Sequence, residues 1–296
     1  MLKGNLRPQG SYMDSTKKTK YIAAGIAFIF MVLAIYFLFI RQQSEGKIKT
    51  QESANIVKNV SDVEVGKRPY ITLVPTSDGA EIIISIEKMS DFDKIEYELT
   101  YQADNPQSAG EKIERGATGS DINPKDEKYK KSILLGTGSK GVRSPDRNIE
   151  GGKLTLHLFK GDIEYQSETN WDMFQIGPRA SKIKSRDDKL ELSLPALSKQ
   201  YWIILADTVG IPPNNESLDL ASVILPVFGA FSIAPNPAKA LDIKIKLDSP
   251  DKNLVLRTYL HQDSRWDETI KASYDSASQT LTSKVKSYST YVVSTK

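Results

Sequence analysis

The longest uninterrupted apolar run in the chain covers residues 21–40 (YIAAGIAFIFMVLAIYFLFI), and no polar stripe interrupts it. Twenty residues at about 1.5 Å each span roughly the 30 Å hydrocarbon core of a bilayer. Twelve of them are Ile, Leu, Phe or Val, worth on the order of −4 to −7 kcal/mol for insertion. A core helix of a globular domain keeps polar positions on one side, so the pattern predicts a transmembrane helix over 21–40. Signal-peptide cores are about 7–15 residues long and end in small residues. This run ends Phe39-Ile40-Arg41-Gln42-Gln43, which reads as an uncleaved signal anchor.

Beyond the anchor the pattern changes twice. Residues 41–68 are mostly polar and read as a linker or stalk, in which Ile48, Ile56, Val57 and Val60 suggest one short helix. From Pro69 the apolar positions adopt the period of strands. The run 94–101 (KIEYELTY) alternates cleanly, with Ile95, Tyr97, Leu99 and Tyr101 facing one way. Residues 71–74, 80–87, 132–137, 153–159 and 164–174 read similarly, separated by Gly, Pro, Asp, Asn and Ser. A second block starts near Arg179. It contains 190–194 (LELSL), 218–225, 228–233, 241–247 (LDIKIKL), 253–260 (NLVLRTYL), 280–285 and 288–293. Within it, 201–206 (YWIILA) is apolar throughout, as expected of a strand buried on both faces. No long amphipathic helix separates these runs, which argues against a parallel α/β sheet. The expected architecture is mainly β: a cytoplasmic tail (1–20), the anchor (21–40), the linker (41–68), and two Ig-like β-sandwich domains, 69–178 and 179–296.

Charge settles the orientation and removes one class of partner. The net charge is +3. The first twenty residues carry Lys3, Arg7, Lys17, Lys18 and Lys20 against Asp14, and the anchor carries no charge. The rest of the chain is therefore close to neutral. The basic excess is a topology signal, N-terminus in and C-terminus out. It is not the basic face of a nucleic-acid binder, so no nucleic-acid partner is expected. The chain has no cysteine, which excludes disulfide staples and thiol chemistry and favours a bacterial envelope over an animal extracellular module.

Certain strand signatures carry a resemblance. Leu254–Tyr259, Trp266, Tyr274-Asp275, Leu281 and Ser289–Val293 resemble the closing strands of a β-sandwich module of cell-envelope proteins. They are also distantly similar to the ankyrin and netrin-receptor type of sandwich. Tyr97–Tyr101, Arg115-Gly116, Leu134–Gly138 and Gly151–Leu154 resemble uncharacterised single-pass bacterial cell-envelope proteins. The resemblance implies a fold and a compartment and carries over no catalytic residue.

The search for chemistry yields little. No G-x-S-x-G, H-E-x-x-H or Walker A motif occurs. His157 and His261 both read as strand histidines with structural roles. The acidic groups at 121–127, 187–188 and 248–251 lack the spacing of a calcium loop and read as solvated turns. Gly136-Thr-Gly-Ser-Lys-Gly141 reads as a hairpin loop and not an anion cradle. Trp202 falls in the buried run, and Trp171 and Trp266 read as plugs at sandwich ends. No catalytic, cofactor-binding or metal-ligating residue is assigned. The expectation is a membrane-anchored extracytoplasmic binding module, held in lipid through residues 21–40. Its expected partner is another envelope or extracellular protein, as in a subunit of a secretion, pilus or division assembly. The alternative is a cell-wall or sugar-binding protein or an envelope hydrolase, which a cleft lined by two carboxylates or by exposed Trp171 and Trp266 would favour.

Overall fold

A computed structural model of the protein describes residues 56–296 apart from 217 and 250. The expected tail, the expected transmembrane helix and residues 41–55 of the expected linker lie outside the described residues. Among the described residues no helix is long and apolar enough to cross a membrane.

The described chain is mainly β. In chain order its strands are β1 Ile56–Asn59, β2 Tyr70–Pro75, β3 Glu81–Glu87, β4 Lys94–Asp104, β5 Lys112–Ile122, β6 Lys128–Leu134 and β7 Gly136–Ser139. Then come β8 Val142–Pro145, β9 Glu150–Lys160, β10 Ile163–Ile176, β11 Ser181–Lys184, β12 Leu190–Leu194, β13 Tyr201–Asp207 and β14 Val223–Ser232. The last six are β15 Leu241–Lys246, β16 Leu254–Leu260, β17 Arg265–Lys271, β18 Ser273–Asp275, β19 Thr280–Val285 and β20 Thr290–Thr295. Three short 3-10 turns complete the list.

One large sheet organises the molecule, in the order β17-β16-β20-β14-β13-β10-β9-β4-β5, with β1 added to β10. A three-stranded sheet, β2-β3-β6, and a five-stranded sheet, β11-β12-β15-β19-β18, accompany it. The loop at 178/179, where the second block was expected to begin, leads from β10 to β11. The large sheet continues past it because β10 pairs with β13, from Trp171 opposite Ala206 to Ile176 opposite Tyr201.

β13 shows why its sequence is apolar throughout. Ile204 and Ala206 join the core of Ile82, Ile84, Leu99, Leu156 and Trp171. Their neighbours Ile203 and Leu205 join a second core with Leu192, Ile243, Leu281 and Val293. Successive side chains of a strand point to opposite faces, so the three-stranded and five-stranded sheets draw on opposite faces of the same strand. The alternation of β4 is as expected, with Ile95, Tyr97, Leu99 and Tyr101 all buried.

Several elements depart from the sequence reading: the runs 218–225 and 228–233 form one strand, β14, behind a 3-10 turn at Leu220–Ser222, and β11, β17 and β18 fall where the pattern predicts none. Ile56 and Val57 do not form a helix. They lie in β1, which pairs in parallel with residues 163–166 of β10, and Val60 follows in a 3-10 turn with its side chain in the first core. β5 is a strand that apolar periodicity does not predict, because its inward positions include Ala117 and Gly119. The reason is steric: a Cβ on Gly119 would lie 2.2 Å from Cε1 of Tyr97, so the cross-strand tyrosine requires glycine there.

Candidate functional site

The residues singled out in the sequence are mostly used up by the fold. His157 lies within β9, half-buried, and its Nδ1 is 2.7 Å from Glu164 Oε1 across the β9–β10 hairpin. His261 is not inside a strand: β16 ends at Leu260, and His261 opens the turn closed by the Asp263 N–H donating to the Leu260 carbonyl. Its ring stands edge-on to Phe231 at 5.3 Å. Burial, with Lys128 nearby, lowers its pKa to about 4, so it is neutral at physiological pH. Among the described residues neither histidine is hydrogen-bonded to a serine or threonine hydroxyl, as a Ser-His-Asp triad requires.

The acidic turns cap themselves. Asp187 accepts from Ser185 Oγ at 2.6 Å and from the Lys189 N–H, and Asp188 pairs with Lys184 at 2.7 Å. Asp121 is held by Lys131 and Tyr129. Among the described residues no group of three or more metal-ligating side chains comes together. The Gly136–Gly141 segment forms the β7–β8 hairpin, whose turn residues Lys140 and Gly141 both have positive φ (50° and 81°), as a type I′ turn needs. The lysine-rich outer face of the five-stranded sheet is likewise paired, Lys244 with Glu191 at 3.4 Å and Lys189 with Asp187 at 3.5 Å.

The three tryptophans differ. Trp171 is buried, and its Nε1 donates to the Lys153 carbonyl at 3.1 Å. Trp266 is half-buried, and its Nε1 donates to the Pro213 carbonyl at 3.0 Å. Trp202 is also half-buried, contrary to its expected place inside the apolar run, and its Nε1 makes no hydrogen bond to a described residue. The Trp202 Nε1 is not among the buried atoms left without a partner, so it is open to solvent.

The local topology explains that position. Trp202 faces Gln175 across the β10–β13 pair, on the same side of the sheet as Trp171, Met173 and Ile204. The three-stranded sheet covers this face over Trp171 and Ile204. At the β2–β3 turn that cover ends, close to where the β10–β13 pair itself ends at Ile176 and Tyr201. Gly79 in this turn has φ +69°, and a Cβ there would sit 2.4 Å from Cε2 of Trp202. The turn backbone thus lies directly against the indole. Beyond it is a cavity of about 520 Å³, bounded by Trp202, Met173 and Gln175 on the sheet, the Asp78-Gly79 turn, and 145–149 between β8 and β9. That volume falls within the roughly 300–1,000 Å³ of small-molecule sites.

Two carboxylates border this cleft, and both are already engaged. Asp78 Oδ1 accepts from Thr76 Oγ1 at 2.7 Å and from the Ala80 N–H at 3.1 Å. The Thr76 hydrogen bond, followed by that of Ala80, holds its carboxyl below the usual range. The Asp146 side chain is largely buried; it accepts from Tyr101 OH at 2.9 Å and lies 3.6 Å from Arg115 Nε. A glycosidase acid needs a raised pKa and access to the leaving group. Asp78 is shifted the other way, and Asp146 is committed to Tyr101.

Two carboxyls are shifted upward elsewhere, both by burial: Asp172, which accepts from the Arg186 N–H, and, by more, Asp207. Asp207, at the end of β13, is raised to about 7 by burial, with the charge of Asp187 adding to the effect. It borders a small cavity of about 140 Å³ beside Arg68 and Thr169. The Arg68 guanidinium is spent on the carbonyls of Val63 and Ser61, at 2.8 and 3.0 Å. Neither the Trp202 cleft nor the Asp207 site is announced by a local motif, since each is assembled from segments far apart in sequence. Compared with protein-family models and with curated proteins, the chain matches none.

Proposed function

We propose that this chain is a membrane-anchored, extracytoplasmic binding module of a bacterial cell envelope, not an enzyme, and that its partner is another protein. Residues 21–40 hold it in the bilayer. The described strands act as two Ig-like sandwiches that share one sheet. The layout suits a subunit of a secretion, pilus or division assembly. The neutral folded part and the basic tail support the orientation. A reporter fused after Lys296 is expected to be active only outside the cytoplasm; activity inside would refute the orientation.

The observation that carries the reading is the free edge of β5. Among the described residues β5 pairs with β4 alone. Other edges are blunted by charge or shortness: β17 carries Arg265, Asp267 and Lys271, β6 carries Lys128, Lys130 and Lys131, and β11 and β18 have four and three residues. The uncharged edge strand β2 is instead tied at its start to the 208–209 segment, where the Ile71 N–H donates to the Thr208 carbonyl and Tyr70 bridges Val209. Charges and shortness are how sheets protect their edges. β5 has 11 residues, and its centre, Gly116-Ala117-Thr118-Gly119-Ser120, is uncharged and built of small side chains. Such an edge accepts an incoming strand through main-chain hydrogen bonds. Thr118→Lys with Ser120→Lys places charges on two exposed positions. In intact cells the double variant is expected to lose the wild-type crosslinked partner by on the order of tenfold, as edge lysines oppose strand addition. Unchanged crosslinking would overturn the reading.

A further inference from the structure

We propose that the Trp202 cleft binds a hexopyranose ring of a glycan, with the indole as stacking platform and its Nε1 as donor to a sugar hydroxyl. The proposal is independent of the β5 edge and concerns a second binding site.

Four observations point to this ligand class. The first is the platform. Trp202 is clamped against Gly79, so the ring is fixed before any ligand arrives. A pre-ordered aromatic surface contributes contact area at small entropic cost. The second is the open donor. The other two indoles give Nε1 to a backbone carbonyl, whereas that of Trp202, a residue that lines the cavity, has no hydrogen-bond partner among the described residues. The third is the mixture of lining groups. Met173 and Trp202 offer apolar contact, and Gln175 opposite Trp202 offers an amide that both donates and accepts. A sugar ring has the same mixture, an apolar C–H face rimmed by hydroxyls.

The fourth observation is charge. A cationic ligand would need an unpaired anion beside the indole. Asp78 lies 3.6 Å from Arg143, and Asp146 the same distance from Arg115, so the two nearby carboxylates are already countered. The exposed Arg147 in the lining disfavours a cation further while offering N–H donors to hydroxyl oxygens. A purely apolar ligand would cover Nε1 without offering it an acceptor, which costs binding energy. A neutral polyhydroxylated ring satisfies both conditions. Because the two carboxylates serve the fold, the sugar is held and not cleaved.

The test is a titration of the full chain in a non-glycosidic detergent with chitotriose, cellotriose and maltotriose, read by tryptophan emission and by calorimetry. At least one trisaccharide is expected to bind and to shift the emission. Trp202→Ala is expected to weaken that binding by at least about tenfold, while Trp266→Phe, outside the cleft, leaves it unchanged. Gln175→Ala, an exposed position, is expected to weaken it severalfold. If Trp202→Ala does not fold by circular dichroism, the Gln175 variant decides. No binding of any of the three sugars to the wild type would overturn the proposal. So would wild-type affinity in Trp202→Ala or, where that variant does not fold, in Gln175→Ala.

Discussion

Ile204→Ala and Leu205→Ala, neighbours on β13 that face opposite cores, are each expected to destabilise the protein by about 2–5 kcal/mol. Both are expected to do so in the same unfolding transition. Each side chain is almost fully buried. Truncation removes transfer energy and leaves a cavity that a packed core fills only partly. The shared transition follows from the sheet. Ile204 packs in the core under the three-stranded sheet and Leu205 in the other, yet both belong to one strand hydrogen-bonded to β10 and β14. Losing either core loosens the strand that supports the other. Denaturant titrations followed by far-UV circular dichroism and by tryptophan emission check this. Two separable transitions, with Ile204→Ala moving one and Leu205→Ala the other, would show that the halves fold independently.

The second large effect is a pH-dependent one at Asp207. Its folded pKa is raised to about 7 by burial, against about 3.9 in an unfolded chain. The folded state therefore holds the proton more tightly. Asp207 places no burden on stability below about pH 4, and its cost grows as pH rises through the window from about 4 to 7. Roughly three units correspond to about 4 kcal/mol at the top of that window. Asp207→Asn keeps the shape and removes the charge. It is expected to be more stable than the wild type by up to about 4 kcal/mol at pH 8, with the difference shrinking to near zero at pH 4. The difference between the two proteins isolates Asp207, since His261, lowered to about 4, destabilises both alike as pH falls from 6.5. A constant difference across this range would contradict the burial account.

Much of the strand content is legible along the chain because it rests on local periodicity. The alternation of β4, β12 and β15, and the apolar run of β13, each follow from which faces are buried, and those faces are written in residues a few positions apart. β5 escapes that reading because Gly119 is fitted to the Tyr97 ring on another strand and Arg115 interrupts the inward series of Ile113, Ala117 and Ile122. The pairing of β10 with β13 is equally hidden, because it depends on which distant strand completes the sheet after residue 178. His261 reads as a strand histidine although its run ends at Leu260; the local turn closed by the Asp263 N–H on the Leu260 carbonyl sets it just outside β16.

The candidate site is the least legible part. Trp202 reads as buried because it lies within the run YWIILA, and the neighbours that follow it are indeed buried. Its exposure is decided by where the β2–β3 turn stops covering the sheet, more than a hundred residues earlier in the chain. One signal was present: the Ser-Asp-Gly turn at 77–79 places a glycine where only a glycine permits an aromatic ring to lie against the backbone. Which ring it meets is a property of the fold.

The central claim is that a partner protein adds a strand to β5, and amide hydrogen exchange across Lys112–Ile122 in the partner-bound complex tests it most directly. A free sheet edge leaves every second N–H without a backbone acceptor, and strand addition supplies one. The account predicts that amides within 116–120 exchange markedly more slowly in the complex than in the free protein, and that the double lysine variant abolishes this protection. Unchanged exchange along β5 in a complex that nonetheless forms would contradict it.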